Sequence, residues 1–341
     1  MAADLRRHDK GSQLCSRSPT TITACAMPST DDQLKYDVIL KGTYGGLLSG
    51  NPARDAWVHR KAEEMQALMV MDAIRDASFG AVVLADGPLE RDAVFHLRYG
   101  VAHRTKFIWI ALRRLLAVAP PERTEPVSLE DVETLASDLN VVYLNIRGAL
   151  DNFAWTIRAQ NPSAAAAELR DQHMDLFGQR FLNAIGDESL REALEPFRPW
   201  YVDLKGRRDP AAHRIPLSVP PTILDEVTQQ EYAEIERQHA AATAKALAAT
   251  RQGLDESPDR PLDLATAEKI GVLFDEAHAI HAKRQQIGRF PGLFAHHPDK
   301  AAMPIYPTVP EDIRNLIAIA RGMTTIIERQ VKPPARNGSP T

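Results

Sequence analysis

Apolar residues recur at three- and four-residue steps along several long stretches of this chain, and prolines, glycines and asparagines punctuate them. Residues 54–76 place Trp57, Val58, Met65, Leu68, Met69 and Ala73 on one broad helical face, with Asn51-Pro52 as a start signal. Phe79 to Leu84 is a short apolar run, readable as strand or as buried helix, and Asp86-Gly87-Pro88 breaks the chain after it. A long helix is predicted over 89–118, ended by Pro120-Pro121. Ser128 with Asp131 resembles a capping box and opens the next, over 128–160. There Leu139, Val142, Ile146, Leu150, Phe153 and Ile157 alternate at three- and four-residue spacing, the seam of a helix packed in a bundle.

Beyond Asn161-Pro162, shorter helices are predicted at 164–185 and 188–205. Ile215 to Pro221 carries too much proline for a helix and reads as an extended edge. Residues 228–250 form an Ala-rich, solvated helix, 251–262 a loop and 263–285 another helix. Phe290–His297 and Pro304–Val309 read as extended and suited to join 215–220 in a small antiparallel sheet. Pro310-Glu311-Asp312 starts a last helix whose face is Ile313, Leu316, Ala320, Met323 and Ile327. The pattern predicts a mainly α fold, an up-and-down helical bundle with a small antiparallel β appendage. One unit spans 31–331, with a polar insertion at about 222–300. The tails 1–30 and 332–341 read as disordered.

Composition narrows the setting. The 341 residues are 44% hydrophobic and 25% charged, as in a globular protein with a sizeable core. A net charge of −4 gives no global basic field, so any nucleic-acid contact needs a local patch. Cys15 and Cys25 both lie in the polar first thirty residues, which excludes a disulfide framework for the folded body and points to the reducing cytoplasm. No apolar run approaches a membrane span, and Pro19 to Ala24 is a poor core for a signal peptide behind Arg6, Arg7 and Lys10. Met27 is an alternative start.

One local patch stands out: Arg207-Arg208-Asp209-Pro210-Ala211-Ala212-His213-Arg214. An arginine holds phosphate oxygens in a two-pronged contact and a histidine moves a proton near neutral pH, so the pair can act on a phosphodiester without a metal. The same spacing occurs at Arg54/His59, Arg91/His96 and Arg98/His103. Those pairs lie within or at the start of helical patterns, where positions i and i+5 stand about 140° apart, and they read as solvated faces. Arg208/His213 differs, because Gly206 is a stop signal and Asp209-Pro210 a start signal. A break there lets the two side chains converge. From Arg198 to Arg214, five basic and two acidic residues make the segment locally +3, with Trp200 and Tyr201 available to stack on a base or to fill the core.

This arrangement resembles the HEPN superfamily, helical bundles with an Arg, four to six residues, His motif. Leu144-Asn145-Ile146-Arg147-Gly148-Ala149-Leu150-Asp151-Asn152-Phe153-Ala154-Trp155 is similar to the helix before that motif in many HEPN-like proteins. The likeness covers about 128–221; Pro210 and the long insertion depart from compact members. It implies a homodimer, and either a metal-independent endoribonuclease in a defence or toxin–antitoxin setting, with an antitoxin or other protein partner, or a non-catalytic binding or assembly module.

In the first reading, His213 is the general base or acid for 2′-hydroxyl attack in RNA, Arg208 stabilises the phosphoryl charge and Asp209 orients one of them. Arg207, Arg214 and Lys205 hold flanking phosphates, Asp151 with Arg147 anchors Arg208, and no metal or cofactor is needed. In the second, Asp209 caps a helix, Arg208 pairs with a carboxylate, Arg147–Asp151 is an intrahelical pair, and 222–300 is the partner surface. Asp275, His278 and His281, with His296-His297, suggest a metal site, though a solvated helix face suits that spacing better. Gly42 to Gly46 lacks the lysine of a phosphate loop, and no Gly-x-Ser-x-Gly elbow occurs.

Overall fold

The computed structural model describes residues 49–213, 215–256, 261–296 and 301–331, with the backbone alone at Pro210, His213 and Glu256. The predicted tails and Arg214 lie outside the described residues. Helix α1 (Pro52–Ala85) starts where the sequence directs: the Asn51 side chain accepts from the amides of Ala53 and Arg54, and proline takes the first turn. It runs past residue 76, so the Phe79–Leu84 run is helix, and it stops at Asp86-Gly87.

The helix predicted over 89–118 is interrupted. It comprises α2 (Arg91–Phe95), a π-helical segment (His96–Ala102) and α3 (His103–Val118). The widened turn coincides with a close approach to α4 (Leu129–Gln160): a Cβ on Gly100 would lie 2.0 Å from the Asn152 side-chain oxygen. Ser128 caps α4 through the Asp131 amide, as expected. All six seam residues of α4 are buried, and they place it at the centre of the core, packed on α2, the π segment and α3. An ion pair from Arg114 on α3 to the buried Asp138 on α4 locks that contact.

Short helices α5 (Ala164–Ala167), α6 (Gln179–Ile185) and α7 (Glu188–Leu194) lead to α8 (Arg198–His213). The break predicted inside Arg208–His213 is absent, and Asp209 is no N-cap. Propensity fails here because tertiary anchors flank Asp209-Pro210. Tyr201 and Leu204 are buried, Arg207 is tied to the last helix, and Ala211 packs against the core.

Ile215–Pro221 is extended, as predicted. Both backbone groups of Leu217 bond to the Asn140 amide, and Ser218 bridges Ala295. The polar insertion is an antiparallel hairpin of α9 (Glu226–Glu256) and α10 (Leu264–Arg284), cross-linked by Arg284–Glu236 and Lys245–Glu276. Its base is closed by paired backbone bonds between Ile223 and Arg289. Strands β1 (Leu293–Phe294) and β2 (Met303–Pro304) pair antiparallel, which gives the small β appendage. Residues 305–309, expected to be extended, belong to α11 (Ile305–Val331), which bends at the non-helical Tyr306. The predicted face of α11 is buried against α1 and α4.

Candidate functional site

The sequence motif lies on α8, facing α4 and the start of α11. Helix α11 turns Asp312 into the core beside Ile313, and three donors converge on its carboxylate. The Trp200 indole and the Arg207 guanidinium reach one oxygen at 2.7 Å each, and the Tyr143 hydroxyl donates to the other at 2.9 Å. Arg207 also lies over the Tyr143 ring. Burial pushes the Asp312 carboxyl up, against the pull of Arg207, and pushes the Tyr143 hydroxyl up further, so the tyrosine remains a donor. Arg207, predicted to hold a phosphate, is thus a structural partner of Asp312, and Trp200 is anchored rather than available for stacking. Tyr201 is likewise core: its ring stacks on Phe177 and its hydroxyl donates to Asp175 at 2.6 Å.

A second cluster lies one turn away. Arg147 reaches Asp151 at 3.1 Å along α4 and Asp175 at 3.2 Å across it, with its guanidinium over the Tyr201 ring. Arg208 pairs with Asp209 at 3.1 Å, and the charges of Arg208 and Arg104 both act on Asp151. The structure therefore brings Arg147, Asp151 and Arg208 into one neighbourhood. It does not gather the full set. In an unbroken helix the backbone directions at Arg208 and His213 differ by about 140°. Lys205 is exposed and Arg214 lies outside the described residues.

Burial raises the Asp151 carboxyl to about 6, with Asp175 adding to the rise and Arg147, Arg208 and Arg104 opposing it. Because the folded protein holds this proton more tightly than the unfolded chain does, the stabilisation is complete below about pH 4. It is lost as pH rises through about 6. Asp151→Asn should remove a fall in stability of about 1–3 kcal/mol between those values, read as the difference between wild-type and variant melting curves. Identical pH slopes for the two proteins would contradict the assignment.

Of the histidines of the metal option, His281 is engaged otherwise, and His297 lies outside the described residues. Both ring nitrogens of His281 meet the Arg284 and Gln285 side chains, and its ring lies against His239. Among the described residues no three His, Cys, Asp or Glu side chains converge on a metal-sized space.

The pair Arg91/His96 was expected to be a solvated helix face, and His96 is not. It is half-buried where the π segment begins, nearly parallel to the Trp155 ring at 5.2 Å, with Nδ1 3.0 Å from the Asn152 oxygen. Its one sequence signal was an Asp directly after Arg, shared with Arg54/His59. Asp312 is hidden for a different reason: Pro310-Glu311-Asp312 carries a helix-start signal, although the place of Asp312 beside Ile313 and Leu316 falls on the buried stripe. Comparison with family models, with curated proteins and with solved structures returns no match.

Proposed function

We propose that this chain is a HEPN-like helical bundle that acts without catalysis, as a self-associating assembly module. The observation that carries this reading is the unbroken α8: it turns the backbone at His213 about 140° from that at Arg208 and commits Arg207 to Asp312. The ionic groups around Asp151 are likewise matched to one another.

The assembly surface is the outer ridge of α2, the π segment and α3. Phe95, Tyr99 and Phe107 are each half or more exposed there, and the rings of Phe95, Tyr99 and His103 touch in sequence. On α1, bound alongside through Ser78 to the Ala102 carbonyl and through Asp86 to Arg98, Phe79 and Val83 are also exposed. Exposed apolar surface of this extent marks an interaction site. Charges of both signs are interleaved with it, at Arg91, Asp92, Arg98 and Lys106, which suits a two-fold contact with a second copy.

Light scattering on the purified chain should give a mass twice the 37.8 kDa of one chain, and the double variant Tyr99→Ser/Phe107→Ser should give a monomer with an unchanged helical spectrum. A monomeric wild type overturns the proposal. So does metal-independent cleavage of RNA that is abolished in both Arg208→Ala and His213→Ala, which restores the ribonuclease reading.

A further inference from the structure

The geometry points to a small-molecule site at the junction of α2, the π segment and α4, shaped for a zwitterionic ligand of amino-acid size. This goes beyond the assembly reading and does not rest on it. A cavity of about 240 Å³ opens there, lined by Asp92, His96, Trp155, Arg158, Asn161 and two alanines. That is below the size of typical drug-sized pockets and suits a single small metabolite.

The protons of the site are fixed by the backbone. The Asn152 amide nitrogen donates to the Gly148 carbonyl at 2.7 Å, so its oxygen is the end that faces His96. An oxygen acceptor requires a proton on His96 Nδ1, which in the neutral imidazole leaves Nε2 as an acceptor. Stacking on Trp155 fixes the ring plane, and Gly100 provides the space that lets Asn152 reach it. A π turn at this point is a recurrent mark of functional sites.

The walls carry opposite charge. Asp92, on α2, lines the same cavity as His96 and brings a carboxylate to it. Arg158, also in the lining, lies over the Trp155 ring, with Nε and Nη2 donating to the carbonyls of Ala166 and Ala167. Its guanidinium is held in place and Nη1 remains for a ligand. An ammonium group matches the first wall and a carboxylate the second; a ligand with either charge alone meets one unlike and one like charge.

The full chain, labelled with ¹⁵N-tryptophan, should be titrated with each of the common L-amino acids, following the Trp155 indole signal assigned by Trp155→Phe. At least one amino acid should shift that signal below about 10 mM. Its amine-only and acid-only analogues, and the Asp92→Asn variant, should each weaken binding at least about tenfold. No shift with any amino acid, a singly charged analogue that binds as well as its parent, or full affinity in Asp92→Asn overturns the proposal. The monomer variant Tyr99→Ser/Phe107→Ser should bind as the wild type does, so failure of the assembly reading leaves this test intact.

Discussion

Asp312→Ala should cost about 3–5 kcal/mol of stability, the largest effect of any single substitution at the motif. The carboxylate is the common acceptor for Trp200, Arg207 and Tyr143, and it is buried. Its removal leaves a guanidinium and two neutral donors facing a cavity without an acceptor, and a buried unpaired group costs far more than the net worth of the bond it made. It also cuts the polar ties of α11 to α4 and α8, which Tyr143 and Arg207 make through this one residue. Asp312→Asn keeps the volume and one acceptor oxygen, so a smaller loss of about 1–3 kcal/mol is expected. Urea unfolding of the three proteins checks this: the midpoint should fall from wild type to Asp312→Asn to Asp312→Ala at constant slope. A loss in Asp312→Ala below about 1 kcal/mol would show that the cluster is not a cornerstone of the bundle.

Gly100→Ala should destabilise the protein by about 1–3 kcal/mol, opposite in sign to the usual result of removing a helical glycine. A new Cβ would stand 2.0 Å from the Asn152 oxygen and 2.8 Å from its Cβ, so the clash is with the root of a short side chain and not a movable tip. Asn152 would have to leave both His96 and the Gly148 carbonyl. Two controls separate this from general helix effects. Gly322→Ala meets nothing within 4 Å and should stabilise by about 0.5–1 kcal/mol. Gly148→Ala first meets the guanidinium of Arg104, the end of a flexible side chain that can swing away, and should be nearly neutral. Thermal melts of the three variants give the comparison; a stabilised Gly100→Ala would mean that the π turn is not held open by Asn152.

The bundle was legible because its helices are long and amphipathic. The α4 seam, the Ser128 cap, the Asn51-Pro52 start and the extended 215–221 segment each follow from local pattern, and each is found where expected. The misses have one physical cause. Gly206 and Asp209-Pro210 carry genuine stop and start signals, but packing on both sides of them outweighs a propensity term of about 1 kcal/mol for glycine. The π segment depends on the meeting of Gly100 with Asn152, 52 positions further along, which no window along one helix can contain. At the candidate site, the pairing of Arg147 with Asp151 was readable from helical spacing. The partners Asp175 and Asp312 were not, because they arrive from elements distant in sequence.

The closed base of the α9–α10 hairpin bears on how fast the bundle can assemble. Arg207 and Asp312 are 105 residues apart, and bringing them together closes a long loop. The hairpin needs only contacts between neighbouring helices, so it can form early, and once Ile223 meets Arg289 the chain between them no longer counts toward that loop. The effective loop shrinks to about 40 residues, which lowers the entropy of closure by about 0.9 kcal/mol, a several-fold gain in the rate at which α11 finds α8. The hairpin thus acts as a kinetic shortcut, and lengthening it should leave that rate unchanged for as long as its two feet remain joined.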